Sequence, residues 1–100
     1  MYVLFIDDLR NPSNSNVPAR YAKHEIVIAR SSFEAINVLN TRGRPVHVCL
    51  DHDLGGDDTS MVVLMYMHEH NLLPDTHSVH SANPVGAANM NAFLYWAYKN

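Results

Sequence analysis

Two aspartates at positions 7 and 8, and the run Asp51, His52, Asp53, each follow directly on an apolar stretch. Adjacent carboxylates held in a confined place repel, and a proton or a cation between them relieves the repulsion. Oxygen donors with no cysteine cluster beside them suit Mg2+ or Mn2+ better than a structural zinc. Asp51 and Asp53 stand two apart. If extended geometry persists to Asp53, both point the same way and His52 points away. If the turn begins at Asp51, that relation is lost, and Asp53 can instead cap the turn at Gly55 and Gly56. Either way, at least one of the two belongs to a site at this position.

His52 and His80 both lie near acids at the ends of apolar runs. A neutral imidazole there accepts a proton, and its protonated form can donate one to a leaving oxygen. Arg30 offers a guanidinium that matches phosphate geometry, although a surface ion pair is its plainer use. Ser81 and Asn83 follow His80, and Asn83-Pro84 opens the last helix. The backbone N–H groups of that helix start could hold a phosphate oxygen. Gly86 permits close approach there, either of a ligand or of the helix to the sheet. No P-loop and no dinucleotide-binding fingerprint is present. The remaining histidines, His24, His47, His68, His70 and His77, read as surface or structural residues. His68 and His70, two apart on a helix, do not share a face.

These residues need a scaffold that brings them together. "YVLFI" (Tyr2–Ile6) is apolar on both sides and reads as a strand covered on both faces. "LRNPSNSNVPAR" has turn residues and no helical period, so a loop with at most one short turn is expected. "EIVIA" (Glu25–Ala29) is a second strand. Ser31 or Ser32 then caps a helix with Ala35, Ile36 and Leu39 on one face, stopped at Gly43. "VHVCL" (Val46–Leu50) is the third strand, and Thr59 or Ser60 caps a helix over "MVVLMYMHEHN". "THSVH" (Thr76–His80) is the fourth strand. The last helix begins at the Asn83 cap, with Val85, Ala88, Asn89, Ala92, Phe93, Trp96 and Ala97 as its expected core stripe. Strands alternating with helices predict a single α/β domain over residues 1–100 with a short, mostly parallel four-stranded sheet. In such sheets, sites gather beyond the carboxyl ends of the strands. Asp7 and Asp8, Arg30 and Ser31, Asp51 to Asp53, and His80 to Asn83 all fall there.

Composition bounds the function. One hundred residues with 47% apolar and 17% charged residues can close one modest core. A formal net charge of −3 and no lysine/arginine cluster argue against an extended nucleic-acid surface, while leaving room for a small nucleotide. The single cysteine, Cys49, sits within an apolar run and reads as buried filler. No secretory signal or membrane span is expected, and a cytoplasmic setting is the default.

The acidic pair after the first strand and an aspartate after the third resemble a response-regulator receiver domain, without a fifth strand carrying that family's usual lysine. The segments "LFIDDLRNP", "IVIARSSFEAINVL", "CLDHDLGG" and "HSANPVGAANM", spread from Leu4 to Met90, resemble the cyclic-phosphate-processing, receiver-like family more specifically. That resemblance implies a flavodoxin-like three-layer sandwich. It also implies an active site drawn from Asp7, Asp8, Arg30, His52, Asp53, His80, Asn83 and Asn89. Read with the residue chemistry, Asp7, Asp8 and Asp53 are the expected ligands of Mg2+ or Mn2+. His52, His80 and Asp53 are the expected catalytic groups, and Arg30, Ser81, Asn83, Gly86 and Asn89 the expected phosphate contacts. The expected reaction is hydrolysis of a cyclic phosphate, with a 2′,3′-cyclic phosphate on a nucleotide or RNA end as the natural substrate. One departure stands out: Ala87 occupies a place where the family often has a basic residue. A non-catalytic module binding a nucleotide, a metal or a partner protein is the alternative, and a phosphoryl-accepting switch is a third.

Overall fold

The structure is a computed structural model and describes residues 1–13 and 16–100. Its elements run β1 (Tyr2–Ile6), a 3-10 turn (Ala19–Tyr21), β2 (Glu25–Ala29), α1 (Ser32–Arg42), β3 (His47–Leu50), α2 (Ser60–Glu69), β4 (Thr76–Val79) and α3 (Pro84–Ala97). The expected loop over Leu9–Arg20 is present, with the 3-10 turn at its end. Its residues Asn14 and Ser15 lie outside the described residues.

The four strands form one parallel sheet in the order β2-β1-β3-β4. β1 is central and every one of its residues is buried, which is why its sequence is apolar on both sides. Tyr2, Leu4 and Ile6 of β1, with Val48 and Leu50 of β3, pack against Ala35 and Leu39 of α1, Val63, Leu64 and Met67 of α2, and Met90 and Leu94 of α3. Val3, Phe5 and Cys49 face the other way and meet Val17, Tyr21, Ile26 and Val46. The sheet is therefore sandwiched between a helical layer and a thin one made by the β1–β2 connection. This is the expected receiver-like α/β architecture, with one outer layer reduced.

Local chemistry sets the helix ends. Ser31 caps α1 by accepting from the Glu34 N–H, and the Glu34 carboxylate accepts from the Arg30 N–H. Gly43 closes α1 at φ 80°, and Asn71, at φ 58°, closes α2. The stripe expected on α3 is displaced. Gly86, Met90, Leu94 and Ala97 are its buried residues, while Val85, Tyr95 and Trp96 are exposed. α3 is apolar nearly all round, so its hydrophobic period does not select a face. Among the described residues, no helix is long and apolar enough to cross a membrane.

One histidine belongs to the thin layer's core. His47 is buried, its Nδ1 and Nε2 pair with the hydroxyls of Thr76 and Ser78 at 2.8 and 2.7 Å, and its ring stacks on Tyr21. The Tyr21 hydroxyl also bonds Thr76, at 2.6 Å, which ties the connection to β4. Burial, then the nearby Arg20 and His77, lowers the His47 pKa to about 4. Burial lowers that of His77 as well.

The unfolded chain protonates these imidazoles near their ordinary value of about 6.5, while the fold keeps them neutral to lower pH. The His47 contribution is therefore complete above about pH 6.5 and is lost as the pH falls toward 4. Urea unfolding should show a stability loss of about 2 kcal/mol from His47 alone between about pH 7 and pH 5. His47→Gln should flatten that slope to the part His77 carries. An unchanged slope would show that His47 is not held neutral.

Candidate active site

The parallel ladder runs one residue past three strands. Asp7 N–H donates to Ala29 O, Asp51 N–H to Ile6 O, and His80 N–H to Leu50 O, at 3.1, 2.9 and 3.0 Å. Strand alternation thus still holds at Asp7, Asp51 and His80, and all three fall on the Phe5–Cys49 face of the sheet. The His80 ring stacks on Phe5 with centroids 5.0 Å apart. Three chemistry-bearing side chains converge at the carboxyl edge because three neighbouring strands end in register.

Asp7 is only 1% exposed. Its Oδ1 accepts from the N–H groups of Leu9 and Arg10 at 2.9 and 2.8 Å, and its Oδ2 from His80 Nε2 at 2.9 Å. The Arg10 guanidinium lies 3.6 Å from Oδ2 and donates to His80 O at 2.7 Å. Burial pushes the Asp7 pKa up, but these donors and the His80 charge more than offset it, so the carboxyl sits below its usual range. Asp51 goes the other way. Burial first, and then the Asp7 charge, hold its carboxyl above the usual range, against the pull of Arg10, His80 and the Ser81 hydroxyl.

Carboxylate oxygens of Asp7, Asp8 and Asp51 lie within 4.8 Å of one another. This set could coordinate a divalent cation: the donors are hard oxygens, two of the three acids are buried, and a cation would relieve the Asp7–Asp51 repulsion. It differs from the expected set of Asp7, Asp8 and Asp53. Strand geometry persists to Asp51 and ends there, so the chain turns before Asp53. Asp53 instead forms an isolated bridge with Thr59, and its side chain is 62% exposed.

Asp53 belongs to a second group. His52 Nδ1–H donates to Asp53 Oδ1 at 2.9 Å, and Asn83 Nδ2 donates to Asp53 Oδ2 at 3.1 Å. The His52 contact, followed by Asn83, lowers the Asp53 pKa. The loop that carries this pair turns at Gly55 and Gly56, both at positive φ, and passes beside Asp8. Asp58 fastens the loop to the start of α1 by accepting from the Ser32 N–H at 2.8 Å. Ser60 fastens it to the sheet, because its hydroxyl donates to Asp51 O.

The expected phosphate contacts have other partners here. Arg30 donates to the backbone oxygens of Asp7 and Arg10, at 3.1 and 2.5 Å, and to Asn11 Oδ1 at 2.7 Å. It clamps the loop after β1. Ser81 Oγ accepts from the Asn83 N–H at 3.0 Å, and Asn83 Oδ1 accepts from the Gly86 N–H at 3.0 Å. Asn89 is exposed on the second turn of α3. Arg10 is the site residue that sequence reasoning missed. It lies within "LFIDDLRNP", three residues from Asp7, but the contact that ties it into the site, to the His80 carbonyl, comes from the end of β4.

Arg30→Lys keeps the charge but loses the planar fork that bridges three acceptors. The substitution should lower the unfolding free energy by about 1 kcal/mol, read by chemical denaturation. Unchanged stability would show that the clamp carries nothing and leave Arg30 free for a ligand.

Comparison with known proteins agrees with this geometry. In structure, the chain is similar to the signal receiver domain of a protein described as a Luxo repressor, from Vibrio parahaemolyticus. The TM-score is 0.54 at 15% identity, over 98% of this chain and 89% of that one, a likeness that speaks for the fold alone. Comparison with curated proteins gives no match. A family model described as the cyclic-phosphate processing receiver domain matches residues 2–95. With nearly its whole length matched, and with the acids and histidines of the four quoted segments gathered at one sheet edge, the chain belongs to the cyclic-phosphate processing receiver domain family.

Proposed function

We propose that this protein is a phosphoesterase that opens a cyclic phosphate by hydrolysis, with a 2′,3′-cyclic phosphate on a nucleotide or an RNA end as substrate. The observation that carries the reading is the His52–Asp53 pair on the loop that follows Asp51 and passes Asp8 at Gly55, in a chain of this family. Asp53 accepts the Nδ1 proton of His52, so in the neutral ring the lone pair is on Nε2. Nε2 takes a proton from the attacking water as its oxygen bonds to phosphorus. The bond from phosphorus to one ribose oxygen breaks, that oxygen takes a proton from solvent, and His52 returns the proton it gained to solvent, giving a phosphate monoester, a free hydroxyl and a neutral imidazole.

His80 suits a different task from the one expected of it. Its Nε2 is committed to Asp7, and its Nδ1 is buried without a hydrogen-bond partner among the described residues. It orients Asp7 through that hydrogen bond, and Arg10 balances the buried charge. Asp7, Asp8 and Asp51 would hold a divalent cation such as Mg2+ or Mn2+, which when bound supplies charge neutralisation at the phosphate oxygens. Arg10 and Arg30 add positive potential at the same edge.

His52→Ala should lower turnover of a 2′,3′-cyclic nucleotide by about 10²- to 10⁴-fold while leaving the unfolding midpoint nearly unchanged. Asp51→Asn should raise stability in chelator, because a repelled buried charge is removed. It should also abolish the stabilisation that Mg2+ or Mn2+ gives the wild type, about 2.7 kcal/mol at a hundredfold its Kd. Full activity in His52→Ala would overturn the proton-transfer reading. Activity unaffected by exhaustive chelation would remove the cation and leave the histidine reading standing.

A further inference from the structure

We propose that Asn83 and Gly86 are positioning residues that hold the His52 imidazole, not ligands of the phosphate. The inference rests on His52 as the proton carrier. Its physical basis is a bracket between the start of α3 and the loop after β3.

Gly86 lies in the first turn of α3, where the backbone is helical and no left-handed conformation calls for glycine. In that setting glycine costs about 1 kcal/mol relative to alanine. The ring of His52 accounts for it. A Cβ at position 86 would lie 2.4 Å from His52 Cγ, 2.6 Å from Nδ1 and 2.8 Å from Cδ2. The imidazole thus rests directly against the Gly86 backbone. It cannot swing aside at no cost, because its Nδ1–H is bonded to Asp53.

Asn83 closes the bracket. Its Oδ1 accepts from the Gly86 N–H and caps α3, and its Nδ2 donates to Asp53 Oδ2. Asp53 in turn accepts from His52. One amide therefore couples the helix start to the carboxylate that sets the imidazole tautomer, and both ends of that amide are in use. A serine could replace the cap, but it lacks the second polar atom with which the Asn83 amide donates to Asp53 while its oxygen caps the helix. This separates the positioning role of Asn83 from its structural one.

The test compares the wild-type protein with Asn83→Ser and Gly86→Ala. The ¹⁵N signals of the His52 ring are recorded at alkaline pH, and kcat and KM are measured on a 2′,3′-cyclic nucleotide. Expected for the wild type is a ring protonated at Nδ1. Expected for both variants is a shift of the ring signals toward a mixture of tautomers, with kcat about ten- to a hundredfold lower and KM within about twofold. Asn83→Ser should keep its unfolding midpoint, so that its loss is not one of folding. Unaltered ring signals and kcat in both variants would overturn the proposal. A rise in KM at constant kcat would also overturn it, because that is the signature of a lost phosphate ligand. If the wild type turns over no cyclic phosphate, the hydrolytic reading fails alone, and the ring signals still decide the bracket.

Discussion

A carboxylate buried to the extent of Asp7 stays ionised only where donors surround it, and the site is organised around meeting that demand. Two backbone N–H groups turn the loop after β1 back over the carboxylate. His80 reaches it from the end of β4, and Arg10 spans it and the His80 carbonyl. Arg30 then clamps the same loop from the end of β2. The ends of β1, β2 and β4 are thereby tied at Asp7, while Asp51 is placed by its own ladder bond to Ile6 O and by the Ser60 hydroxyl. The second buried acid, Asp51, receives less compensation and is left above its usual range, which is where a cation would act.

The two histidines at this edge are paired with carboxylates in different ways, and the difference separates their roles. His80 lies on Phe5 in the sheet's own layer, with one nitrogen on a buried acid and the other enclosed. His52 sits on a loop, bonded through Nδ1 to an exposed acid and backed by the Gly86 backbone. Under the proposed function, the first is part of the electrostatic scaffold and the second moves protons. The loop that carries His52 is held at three points: its Asp58 accepts from the start of α1, Ser60 at the start of α2 donates to Asp51 O, and Asn83 at the start of α3 donates to Asp53.

Much of this was legible in the sequence, and the misses have physical causes. β1 to β4 and the three helices follow from apolar runs, caps and breakers, because those signals are local. So does the gathering of Asp7, Asp51 and His80, since a parallel sheet sends its strand ends to one edge. Whether Asp51 or Asp53 joined Asp7 and Asp8 depended on where the ladder stopped, and only its last hydrogen bond settles that. The face of α3 was not legible, because a helix apolar on most sides is oriented by its neighbours. Arg10 and the reason for Gly86 lie in contacts made across 70 and 34 residues of chain. The burial of His47 depended on strand register, which sets it opposite Thr76.

The most direct test of a hydrolytic site at this edge is product analysis by mass. Purified protein is incubated with a mixture of 2′,3′-cyclic and 3′,5′-cyclic nucleotides, in magnesium, in manganese and in chelator. Expected is the gain of one water by the 2′,3′-cyclic nucleotides, faster with a divalent cation, with the 3′,5′ class intact. Recovery of every nucleotide unchanged in all three conditions would contradict the hydrolytic reading and leave a binding module built on the same carboxylates.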